Sequence, residues 1–168
     1  MVSLALVSWG SHAQHDHGGS SSSHGHEKEM STSTISFKDK GLGEVYSNYI
    51  NLKNALVASD AMMAMNASTD LYMSLQGMKN VEEVFKVAKV AANAVSLADQ
   101  LKAFVPLSAE MMALLKNSKL TKGEAFVAFC PMANESSGAY WLSNEASIAN
   151  PYFGDSMRSC GSIKETIN

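Results

Sequence analysis

Residues 43–58, GEVYSNYINLKNALVA, set the fold class. Val45, Tyr49, Leu52 and Leu56 recur at three- and four-residue spacing, which puts one apolar stripe on a helix rather than one face on a strand. Working outward, Ser59-Asp60 supplies a cap for a second helix. Met62, Met65, Leu71, Leu75 and Met78 continue the pattern past Gly77, a natural stop. Asn80 is placed to cap a third helix, lined by Val81, Val84, Phe85, Ala88 and Ala92, with Glu82 and Glu83 where the helix dipole favours negative charge. A fourth helix begins near Ser96 and keeps helical spacing from Leu97 through Leu101, Phe104, Leu107, Met111, Leu114 and Leu115 to about Lys116. Pro106 removes an amide and is expected to kink or split it. Four helices with short connections predict a mainly α chain, an antiparallel four-helix bundle.

Past Lys122-Gly123 the period changes. Ala125 to Cys130 alternates as a strand of six residues, Pro131 stops it, residues 134–138 are a polar turn, and Ala139–Ser143 is the partner strand. A small C-terminal β-hairpin packed on the bundle is expected. A short helical turn opens at Ser143-x-Glu145, and the chain closes on a Ser-Ile-Lys-Glu-Thr tail.

The other end has a different composition. Residues 1–13 are apolar and then small, the pattern of a partial signal peptide, so the chain is expected to be exported to the periplasm. Residues 14–40 form a His/Ser-rich arm that lacks the apolar residues of a core and is expected to be disordered. All 5 histidines precede residue 27. His15 and His17, and His24 and His26, are i, i+2 pairs that could chelate Cu(II), Ni(II) or Zn(II) weakly; the other reading is a plain polar linker. Residues 41–168 then make one domain.

Composition narrows the function. The 168 residues are 46% hydrophobic and 17% charged, with net charge −3. The 13 Lys and Arg are scattered singly, so no basic patch tracks a nucleic-acid backbone. No apolar run reaches the roughly 18 residues of a membrane span. With every histidine in the arm, neither cysteine has an imidazole to activate it and no Ser-His-Asp set forms in the domain, so no enzyme is expected.

What remains is sulfur: 11 Met and 2 Cys. Most methionines read as adaptable core filler. Of the doublets Met62-Met63 and Met111-Met112, Met63 and Met112 fall off the stripe and are expected to be exposed. Cys130 and Met132, at i and i+2, would share one side of an extended strand, and Met157 and Cys160, at i and i+3, one side of a helical turn. If the segments meet, two thiolates and two thioethers converge, a donor set that selects Cu(I) or Ag(I). The competing reading is a Cys130–Cys160 disulfide, worth roughly 3.5 kcal/mol on the chain-entropy model. Tyr140, Trp141, Tyr152 and Phe153 read as packing around this segment.

The same residues carry a resemblance. Cys130-Pro-Met132, Gly138-Ala-x-Trp141-Leu-Ser143, Ile148-x-Asn150-Pro-Tyr-Phe-Gly154 and Met157-x-x-Cys160-Gly161, with Tyr49-x-x-Leu52-Lys53 and Phe104-x-x-Leu107-Ser108, resemble a periplasmic domain-of-unknown-function family. That family is found free-standing and at the C-terminus of periplasmic adaptor subunits of copper/silver efflux pumps. The resemblance implies a non-catalytic, metal-binding accessory role whose partners are a metal ion and an efflux component. The alternative is a helical interaction domain with a disulfide staple and no metal role.

Overall fold

A computed structural model describes residues 35–168. Residues 1–13, expected to be a partial signal peptide, and most of the expected arm, with His15, His17, His24 and His26, lie outside the described residues.

Four helices carry nearly half of the described residues: α1 (Lys40–Val57), α2 (Ala61–Ser74), α3 (Glu82–Ala92) and α4 (Leu97–Lys116). Three start on side-chain caps that satisfy a free first-turn amide. Asp39 accepts from the Gly41 amide at 2.9 Å and Asp60 from the Met63 amide at 2.9 Å. Ser96 accepts from the Asp99 amide at 3.1 Å and donates its hydroxyl to the Asp99 carboxylate at 2.6 Å. α3 departs from expectation. Asn80 sits in the left-handed region at φ 59°, Val81 takes the cap position, and no side chain bonds there. Glu82 and Glu83 occupy the first turn as expected. Pro106 does not split α4, which runs unbroken from Leu97 to Lys116; Pro106 itself is exposed, on the side away from the core.

Consecutive helices pack on one another. α1 buries Val45, Tyr49, Leu52 and Leu56, the stripe read from its spacing, and with them Leu42 and Tyr46. α2 buries a smaller face than expected, made of Ala64, Ala67, Ser68 and Leu71. Met62, which was expected in the core, is 69% exposed. Met63 is exposed as its spacing implies, whereas Met112 is only half-exposed.

The β content exceeds a hairpin. β1 (Ser36–Phe37) pairs with β2 (Leu120–Lys122), so the last residues assigned to the arm already belong to ordered structure, and Phe37 is buried. β3 (Ala125–Cys130), β4 (Ala139–Ser143) and β5 (Ser162–Ile167) form an antiparallel sheet in the order β4-β3-β5. The segment expected to be a loose tail is therefore the third strand. Its Ile163 and Ile167 oppose Ala128 and Ala125, residues of β3 that are themselves buried. Ser143-x-Glu145 forms no helix; the short helical turn comes later, a 3₁₀ turn at Gly154–Met157.

β4 lies along α4 and touches α1. The junction is a buried polar contact: the Tyr49 hydroxyl pairs with Ser108 Oγ at 2.7 Å and accepts the Leu142 amide at 3.1 Å. Burial pushes the Tyr49 phenol well above its ordinary pKa, so it stays neutral and keeps its proton available for Ser108. The Tyr49 and Phe104 rings stack at 5.3 Å beside it.

Candidate functional site

Cys130 ends β3, the middle strand, and is fully buried. The chain then turns through residues 131–138. Asn134, Glu135 and Ser136 adopt left-handed φ values of 52°, 55° and 65°, and Gly138 follows at φ 79°. A side chain at Gly138 would meet the Phe129 ring at 2.5 Å, so the ring closes on the turn only because glycine is there. Met132 rides on this turn and is 52% exposed. The strand alternation that would align it with Cys130 ends at Pro131, and the turn carries its thioether outward.

Cys160 comes from the far end of the segment that crosses the domain after β4. Its amide bonds the Met157 carbonyl at 3.0 Å. Asn150, completely buried, donates its side-chain amide to the Cys160 carbonyl at 2.8 Å. Gly161, at φ 136°, lets the chain press onto the sheet: a Cβ there would lie 2.9 Å from the Phe129 carbonyl oxygen and 3.0 Å from the Trp141 ring. The outcome is a contact between residues thirty apart, with Cys130 Sγ 2.8 Å from Cys160 Sγ, both thiols free. The hydrogen bond to Cys130 raises the Cys160 thiol pKa, with burial and the neighbouring thiol's charge adding to it.

Of the four sulfurs singled out in the sequence, the two cysteines meet. Met157 ends the 3₁₀ turn and is 37% exposed; like Met132 it is a surface thioether. Among the described residues no group of three or more His, Cys, Asp or Glu gathers to hold a metal ion. The soft donors that the structure brings together are the two cysteine sulfurs. The aromatic residues pack as expected. Trp141 is buried and meets Tyr152 edge-on at 6.1 Å, and Tyr140 tilts on Phe129 at 4.4 Å.

Two residues at this end, quoted above only within the family resemblance, were given no role by the sequence. Lys53, four residues after Tyr49 on the flank of the α1 stripe, carries a charge that would ordinarily reach solvent, yet it is 1% exposed. Burial pulls its pKa down; the nearby Glu145 charge opposes that and Arg158 adds to it. Lys53 thus lies under the segment that brings Cys160 in, where no local pattern places it. Asn150 is the second. Its signal was the Asn-Pro pair, since Asn before a turn bonds its own backbone two residues on; here Asn150 Oδ1 accepts the Tyr152 amide at 2.8 Å.

Fold and site together define a mainly helical domain that ends in a three-stranded sheet carrying a dithiol. Residues 45–123 match a family model described as a protein of unknown function, DUF3347. That span runs from α1 through β2, so the helical body carries the match and the cysteine-bearing sheet lies beyond it. Comparison with curated proteins finds no match, and neither does comparison with solved structures.

Proposed function

We propose that this is an exported, periplasmic, non-catalytic accessory domain that binds a soft metal ion of the Cu(I)/Ag(I) type through Cys130 and Cys160, in the service of metal efflux or homeostasis. The observation that carries the reading is the convergence of two thiols from distant segments at 2.8 Å. Soft thiolate ligands favour Cu(I) and Ag(I) over harder ions. Met132 and Met157, both exposed and close to Cys130 and Cys160 in sequence, are thioethers that need no deprotonation to meet an incoming ion, and the His-rich arm adds weaker imidazole ligands. The helical match supports the resemblance to a family of unknown function; the efflux-adaptor connection is our extension of it. We read the four helices as an antiparallel bundle, from the packing of each on the next.

Magnitudes define the resting state. A metal–thiolate bond of about 2.3 Å sets two sulfurs on a linear ion roughly 4.6 Å apart, so the pair opens by about 2 Å to admit one. A disulfide bond of about 2.05 Å needs a closure of under about 1 Å. This observation favours a second reading for the oxidised protein, in which the pair is a disulfide staple that excludes metal.

Thiol titration of the reduced chain with and without Cu(I) tests the proposal. Two free thiols are expected without metal and none reactive with one equivalent of Cu(I), and the Cys130→Ser, Cys160→Ser double variant should lose at least tenfold in affinity. Because the Cys160 thiol holds its proton more tightly than usual and binding must release it, uptake should strengthen as pH rises. Equal Cu(I) affinity in the double variant would leave the staple as the function of the pair.

A further inference from the structure

Asn150 makes three hydrogen bonds from a fully buried position, all within one loop. Its backbone amide donates to the Arg158 carbonyl at 2.8 Å. Its side-chain amide donates to the Cys160 carbonyl at 2.8 Å, and its side-chain oxygen accepts the Tyr152 amide at 2.8 Å. Residues 151–159 are thereby closed into a loop whose two ends meet at Asn150, and Cys160 sits at the closing end. On its other side Gly161 lodges against the Phe129 carbonyl and Trp141. Cys160 is therefore fixed from both neighbours, while Cys130 is fixed by its place in the central strand.

From this we infer that Asn150 is the positioning residue of the dithiol: by holding the Cys160 carbonyl it sets the effective concentration of the Cys160 sulfur at Cys130. The inference rests on the proposed function insofar as the dithiol is the site, but it is tested through exchange with glutathione and needs no metal. Asn150 touches neither sulfur through any contact described above and acts through the backbone of Cys160 alone. Such a clamp acts mainly on the reduced form: without it the open loop gains conformations that keep the thiols apart, whereas in the oxidised form the covalent bond already restrains it.

The test is the equilibrium of the full chain with glutathione. In it one glutathione disulfide takes up two electrons and two protons from Cys130 and Cys160, giving two glutathione molecules and one Cys130–Cys160 bond. Asn150→Ser keeps an oxygen able to accept the Tyr152 amide but cannot span to the Cys160 carbonyl. It should lower the equilibrium constant at least tenfold, a potential less reducing by about 30 mV. Leu71→Ala, in the buried face of α2 and away from the loop, should destabilise the fold without moving that constant, because it weakens the dithiol and disulfide forms equally. An unchanged constant in Asn150→Ser, or an equal fall in both variants, overturns the inference. A measurement on the unmodified chain stands if Asn150→Ser does not fold. The Asn150 side-chain amide protons should exchange slowly with solvent and shift in NMR between the dithiol and disulfide forms, and fast exchange with no shift overturns the assignment. Failure of Cu(I) binding with a displaced glutathione equilibrium would sink the metal reading and leave Asn150 in its role.

Discussion

Tyr49 shows how one atom joins three elements. Its hydroxyl takes the Leu142 amide, on the side of β4 away from β3, and pairs with Ser108 on α4. Tyr49→Phe keeps the ring stacked on Phe104 but leaves a buried amide and a buried hydroxyl without that partner. The expected cost is about 1–3 kcal/mol, read as a lower urea midpoint at unchanged m-value. The stripe position of Tyr49 was legible in the helical spacing; its hydroxyl's two partners were not, because they lie 59 and 93 residues away. Lys53 makes the converse point. Four residues on from Tyr49 it flanks the apolar stripe, where a lysine ordinarily extends past the edge to water, but here the distant segment carrying Glu145 and Arg158 lies near it and it is buried.

At the scale of elements, the helices were readable because caps and periodicity are local: Asp60 and Ser96 each close their own first turn. β5 was missed for the opposite reason. Ser162–Ile167 alternates weakly, is mostly exposed, and becomes a strand only because β3 offers a free edge. A chain ending at Gly161 loses that ladder and the partial burial of Ile163 and Ile167. We expect a loss of about 2–3 kcal/mol from the lost apolar burial and concentration-dependent association through the newly open edge of β3, visible by size-exclusion chromatography. An unchanged urea midpoint and a monomeric elution would show that β5 contributes nothing to the domain.

For the whole molecule the two thiols set how stability answers to redox state and pH. Joining Cys130 to Cys160 removes loop-closure entropy from the unfolded chain, so the oxidised form should exceed the reduced by roughly 3.5 kcal/mol in urea unfolding. The folded Cys160 thiol binds its proton more tightly than the unfolded one, for which the ordinary thiol pKa is about 8.5. Stability from that group is therefore complete below the unfolded pKa and falls as pH rises through the thiol range. The oxidised form has no thiol to titrate, so the gap between the two forms should widen above about pH 8.5, and a gap flat in pH would contradict the hydrogen-bonded dithiol. By itself the sequence determined the helices, the β3–β4 hairpin and the short list of sulfur residues, because periodicity, caps and turns act within a few residues. Only the tertiary structure decided that Cys130 and Cys160 meet while Met132 and Met157 stay outside, that β5 completes the sheet, and that Lys53 and Asn150 lie buried beneath the loop. Those outcomes follow from which segments cross in space, and contacts between residues thirty to ninety apart leave no period in the chain.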